Sequence, residues 1–180
     1  RLFSFIFFII YVILSLDFAL MNNTISIITN LACIYDRGDK DEQSFIKVNG
    51  EALAGDKKTG FDEDTCVAVA KQVKTIVDKG VQVAIVIGGG NFWRGRTSNK
   101  IDRTKADGIG MMATIMNCMY VSEIFRTEGM DTNVYTPFAC GTWTKLFSKD
   151  EAVADLNAGK VVFFAGGTGH PYFSTDTGAV

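Results

Sequence analysis

Proline and histidine are nearly missing from this 180-residue sequence, which has two prolines and one histidine, His170. So few prolines beside 18 glycines point to regular elements joined by tight, functional loops. The four cysteines, Cys33, Cys66, Cys118 and Cys140, form no C-x-x-C pair, and with one histidine they do not support a structural zinc site. Their spacing resembles no small secreted disulfide framework, so they read as reduced, mostly buried thiols of a cytosolic protein. Charge of one sign is not in excess: 18 basic residues face 20 acidic ones, for a net −2, which argues against a nucleic-acid protein held by net charge and leaves only a local basic patch open. The G-x-x-x-x-G-K-[S/T] phosphate loop is absent. No Ser/Asp or Cys partner pattern surrounds His170, so a nucleophilic triad is poorly supported. What is present suffices for a packed core: 47% of residues are hydrophobic and 21% charged, over a length of one domain or slightly more.

Both ends look abnormal. Residues 2–16, LFSFIFFIIYVILSL, are almost wholly apolar, and with 17–21 they reach the roughly 20 residues of a bilayer span. Against a membrane anchor stand Asp17, the single charge ahead of the run and the lack of an A-x-A-like cleavage site, so the expectation is a non-native extension over 1–44. At the other end, Val180 follows a Gly-rich loop that normally feeds another helix, and the expectation is a chain that stops in mid-domain.

The organised part runs from about 45 to 180. Residues 45–48 read as a strand, and 62–79 as a helix capped by Asp62 or Asp64, with Val69, Val73, Ile76 and Val77 on one face and Gly80 as its stop. Residues 81–87 form a β-branched run suited to a central strand covered on both faces. A second helix is expected over about 106–128, with Ile109, Met112, Ala113, Met116, Tyr120 and Ile124 at helical spacing and methionines 111, 112, 116 and 119 on its core face. A strand at 132–136, a short helix at 149–158 and a buried strand at 160–165 complete the series. Strands alternating with helices indicate βαβ units, a parallel sheet and helices on both sides. Three glycine-containing loops, 49–55, 88–95 and 166–169, follow strands and should converge on one edge of that sheet, where such folds bind ligands.

Glycine loops at strand ends suit phosphate, because backbone N–H groups can approach an anion closely. Residues 108–113 match the G-x-G-x-x-G/A dinucleotide fingerprint in letters only, since no strand precedes them. Lys47 lies in a strand expected to be buried, where a lysine either snorkels or serves an anion. Arg94 closely follows Gly88-Gly89-Gly90, and its planar fork suits phosphate oxygens. Asp107 opens the second helix and Asp176 opens another; each is a helix cap or a ligand contact. Trp93, Trp143, Tyr172 and Phe173 lie in or near loops and read as packing beneath a loop, with base stacking as the alternative.

Four runs carry a family resemblance: 50–55 (GEALAG), 86–95 (VIGGGNFWRG), 107–117 (DGIGMMATIMN) and 167–176 (GTGHPYFSTD). Together they resemble the bacterial UMP kinases of the amino-acid kinase superfamily, over about 45–180. The resemblance implies a three-layer αβα sandwich with a mainly parallel central sheet, here incomplete, and residues 45–180 as the N-terminal, UMP-binding part of such a domain. It implies a cytoplasmic homohexamer, transfer of the ATP γ-phosphoryl group to UMP with Mg²⁺, and regulation by GTP or UTP. By the match, Lys47, Val48, Asn49, Gly50, Gly90 and Arg94 would line ATP. Gly89, Asp107, Thr168, Gly169, His170, Pro171, Tyr172, Phe173, Ser174 and Thr175 would hold UMP. Lys47, Arg94 and Asp176 would serve catalysis. Asn49 departs from the family's Lys-Leu-Ser-Gly, and His170 replaces a common asparagine, which would make UMP binding pH-dependent. The family continues past Val180 through the segments that hold adenine, so this chain alone is expected to have little activity. The competing readings are another enzyme of the superfamily, such as acetylglutamate or aspartate kinase, and a non-catalytic UMP- or UTP-binding protein.

Overall fold

The computed structural model describes residues 43–93 and 100–173. Five strands, β1 (Gln43–Val48), β2 (Gln82–Ile87), β3 (Thr132–Thr136), β4 (Lys145–Leu146) and β5 (Val161–Phe164), form one sheet in the order β1-β2-β5-β3-β4. Every pairing is parallel, with Ile46 opposite Ile85, Ile85 opposite Phe163 and Phe163 opposite Val134. Helices α1 (Glu63–Val77) and α2 (Arg103–Thr127) cover one face, and α3 (Lys149–Asn157) packs on β5 and β2 from the other. The alternation of side chains along each strand explains the layering. Ile46, Val48, Val83, Ile85, Val161 and Phe163 point to α1 and α2, while Val162, Tyr135 and Phe164 point to α3. Phe125 of α2 meets Phe163 edge to face at 5.3 Å in the wholly buried centre.

Each helix starts on an oxygen-bearing cap. Asp62 accepts from Thr65 N at 2.9 Å, Asp102 from Thr104 N at 3.0 Å, and Ser148 from Glu151 N at 3.5 Å. Gly80, Gly129 and Gly159 take φ of +84°, +82° and +77° just past the helix ends.

Five expectations need correction. Asp102 is the cap of α2, so the helix begins a turn earlier than its apolar spacing suggested, and Asp107 sits inside it. The apolar stripe of α2 is its core face only in part: Met111 and Ala113 are buried and Met119, Tyr120 and Ile124 pack against the core, but Ile109, Met112 and Met116 are exposed, while Thr114, Asn117, Cys118 and Ser122 are buried. Lys47 is exposed, because β1 is an edge strand among the described residues and its Lys47 position faces away from α1 and α2. The 49–55 loop is a 3₁₀ turn, Gly50–Lys57, and the two-residue β4 carries no sequence signal at all. Of the aromatics, Trp143, Tyr172 and Phe173 are exposed rather than packed. The apolar run at 2–21 lies outside the described residues. Within them α2 is the one helix long and apolar enough to cross a membrane, and half of its most apolar window is buried inside the fold.

Candidate active site

Strand order decides where the site is. β1, β2 and β5 are neighbours running in one direction, so the segments after Val48, Ile87 and Phe164 emerge side by side at one edge. The three glycine-containing loops converge there as expected.

The first two loops are locked together. Gly88 N donates to Val48 O at 3.0 Å, and a Cβ on Gly50 would lie 2.0 Å from Gly88 O. Only glycine allows that approach. Asn49 spends its side-chain oxygen on Glu51 N at 3.1 Å, capping the 3₁₀ turn, and Val48 is buried. Gly90 lies against the Glu51 carboxylate, where a Cβ would come within 2.8 Å. Gly89 rests on α2: its Cβ would meet Ala113 Cβ at 2.9 Å and Gly110 O at 3.1 Å.

The third loop is tied to α2 from the opposite direction. Tyr172 N donates to Asp107 Oδ2 at 2.8 Å, and Arg103 Nε donates to Asp107 Oδ1 at 2.9 Å. Tyr172 adopts φ +70°, a backbone state costing on the order of 1 kcal/mol in a non-glycine residue, and the Asp107 contact holds it there. The Arg103 guanidinium stands 5.8 Å from the centre of the Tyr172 ring. The Tyr172 backbone donor and then Arg103 keep the Asp107 carboxyl below its ordinary range, hence ionised at neutral pH. Between this aspartate and Gly89 opens a cavity of about 150 Å³, lined also by Trp93, Ala106, Gly110, Met111 and Phe173. Trp93 is fixed by Nε1 donating to Ala106 O at 2.9 Å. Within the loop, Thr168 Oγ1 accepts from His170 N at 3.3 Å, and His170 is exposed. Thr168 and Gly167 also border a second cavity of about 230 Å³ with Tyr135, Phe147 and Phe164.

The structure thus brings together the Gly50, Gly89, Asp107 and Thr168–Phe173 positions. Lys47 lies on β1 at the same edge, next to Val48. Arg94, Ser174, Thr175 and Asp176 lie outside the described residues. Burial pushes the Cys66 thiol up to about 11 and the Cys118 thiol up to about 12, which keeps both protonated and unreactive. Sequence reasoning passed over Thr114, Asn117 and Asn91, which are buried polar residues under the loops. The usable signal was polar side chains on the small-residue face of an apolar helix.

Residues 44–180 match the amino acid kinase family. Among solved structures, the chain is similar to UMP kinase from Bacillus anthracis, with 33% identity and a TM-score of 0.71 over 75% of this chain and 57% of that one. It is similar also to UMP kinase from Ureaplasma parvum, with 31% identity and a TM-score of 0.72 over 78% of this chain and 62% of that one. The chain therefore spans 57% and 62% of the lengths of these two proteins.

Proposed function

Because the chain belongs to the amino acid kinase family, we propose that it serves transfer of the ATP γ-phosphoryl group to UMP, giving UDP and ADP. The observation that carries this reading is the ionised Asp107 beside Gly89, closed over by a loop whose backbone it grips through Tyr172. A carboxylate in a small cleft suits the paired hydroxyls of a ribose, and the glycine backbone beside it suits a phosphate. On this reading residues 45–180 are the N-terminal, UMP-binding part of an amino-acid kinase domain.

Phosphoryl transfer demands alignment and charge neutralisation rather than a covalent nucleophile. Gly89, Asp107 and the loop of Thr168 to Thr175 orient UMP. Lys47, Asn49, Gly50, Gly90 and Arg94 border the phosphates of ATP. Lys47 and Arg94 supply positive charge, and Asp176 orients the lysine. Mg²⁺ enters with the nucleotide, whose phosphates supply most of its ligands. Free buried thiols at Cys66 and Cys118 suit a cytoplasmic setting.

The test is a melting curve of the purified chain with UMP, CMP or N-acetylglutamate. UMP alone should raise the midpoint, adding about 2.7 kcal/mol of stability at a hundredfold excess over its dissociation constant. Asp107→Ala should abolish the shift. A cooperative transition indifferent to UMP would reject the reading.

The exposed Ile109, Met112 and Met116 stripe, 43%, 49% and 45% accessible, supports a homo-oligomer in which α2 meets another copy. Met112→Glu should dissociate that assembly in analytical ultracentrifugation without lowering the helical circular dichroism. An unchanged sedimentation coefficient would exclude this face as the contact. GTP or UTP regulation is the remaining part of the proposal.

A further inference from the structure

We propose that Thr114 and Asn117 are positioning residues that hang the second and third loops from one helix and so fix the spacing of the two substrate phosphates. The inference rests on the nucleotide reading above for its substrates, and on geometry for its clamp.

The two residues lie three apart on the buried side of α2, directly beneath the strand ends. Asn117 donates from Nδ2 to Gly88 O at 2.6 Å and to Asn91 Oδ1 at 2.7 Å. Asn91 returns Nδ2 to Asn117 Oδ1 at 3.0 Å and reaches Gly60 O at 2.9 Å. The two amides thus form a reciprocal pair, 0% and 1% exposed, in which every N–H and each side-chain oxygen is engaged. Thr114 Oγ1 accepts from Gly166 N at 2.9 Å while donating to Met111 O at 2.7 Å. One turn of one helix therefore holds a carbonyl of the β2 loop and an N–H of the β5 loop.

The chemistry explains why polar groups are kept there. Apolar residues would fill this face of α2 at no desolvation cost, as they do at Val121 and Phe125. A buried, fully paired network gives directional contacts instead, and direction is what in-line transfer between two bound phosphates needs. The Asn91 link to Gly60 extends the same fixture to the segment after the 3₁₀ turn.

The test compares Thr114→Val, Thr114→Ser and Asn117→Asp with the wild-type chain, at a temperature where each is folded. UMP affinity is read by calorimetry and loop order by amide hydrogen exchange. T114V should weaken UMP about tenfold, the loss of one buried hydrogen bond felt at the ligand, and T114S should stay within twofold. N117D should speed exchange across 88–91 at least tenfold and leave β5 protected. Should T114V not fold, Thr114→Ala removes the same hydroxyl and gives the same comparison. A folded T114V that binds UMP within twofold of wild type overturns the proposal. If the wild type itself binds no UMP, the nucleotide reading fails. The clamp then stands or falls on exchange alone, with unchanged rates in 166–169 for T114V and in 88–91 for N117D rejecting it.

Discussion

Gly50→Ala is expected to lower stability by about 3 kcal/mol. The added methyl would sit 2.0 Å from Gly88 O and 2.8 Å from Gly88 C, and 2.9 Å from Asn91 Oδ1. Two of these three atoms are backbone, so no rotamer change relieves the overlap. The Gly88 carbonyl is also pinned by Asn117, and Gly88 N by Val48 O, so the loop cannot simply withdraw. The strain must open the junction between the first and second loops. Gly60→Ala provides the contrast. Its Cβ meets nothing within 4 Å, so only its φ of +74° opposes the change, at about 1 kcal/mol. Chemical denaturation of both variants measures the difference, and equal midpoints would refute the packing argument.

Asp155→Ala should cost about 3 kcal/mol, seen as a fall of about 6–12 °C in melting temperature. Asp155 is buried on α3 and accepts from Tyr135 Oη at 2.6 Å, Lys145 Nζ at 3.0 Å and Lys160 Nζ at 2.9 Å, and from Asn133. One carboxylate thereby ties α3 to β3, to β4 and to the residue before β5. The figure sits at the low end for a broken buried pair, because both lysines are partly exposed and can rehydrate. Burial alone would raise this carboxyl, but the hydrogen bonds from Tyr135, Lys160, Lys145 and Asn133 outweigh it and hold the group well below the carboxylate range. A depressed folded value means that the contribution is complete above the unfolded value, about 3.9, and is lost as pH falls toward the folded one. The stability gap between wild type and D155A should therefore be flat from about pH 5 to 8 and narrow below about pH 4. A gap that narrowed at pH 6 would contradict the assignment.

Much of the fold was legible because its signals were local. β2 and β5 are continuous apolar runs, and a parallel strand covered on both faces needs nothing else. β3 was bounded correctly by Gly129 and Pro137. Helix α2 misled because it is apolar on both sides. The periodicity of Ile109, Met112 and Met116 was real, but it marks an exposed face, and the side against the sheet combines Ile115, Val121 and Phe125 with the small and polar Ala113, Thr114 and Asn117 that let the loops come close. Lys47 was misjudged because position at the edge of a sheet is a matter of strand order, which no local pattern reveals. For the site, glycine spacing located the loops and the resemblance supplied Asp107. The contacts that hold the loops together, Asn117 to Gly88 and Thr114 to Gly166, join residues 29 and 52 apart. Nothing near either residue in sequence announces them.

The strand order has a consequence for how the protein is made. β5, the last in chain order of the described strands, occupies the middle of the sheet they form, and β2 and β3 touch only through it. During translation, β1 and β2 can pair early, but the far edge of β2 and the inner edge of β3 stay unpaired until Phe164 has left the ribosome. A nascent chain stalled or cleaved before Val161 would present two apolar open edges to other chains. Insertion of four residues, Val161–Phe164, closes both at once. These strands are joined last at their centre, which makes the interval before that insertion the one in which a chaperone has most to protect.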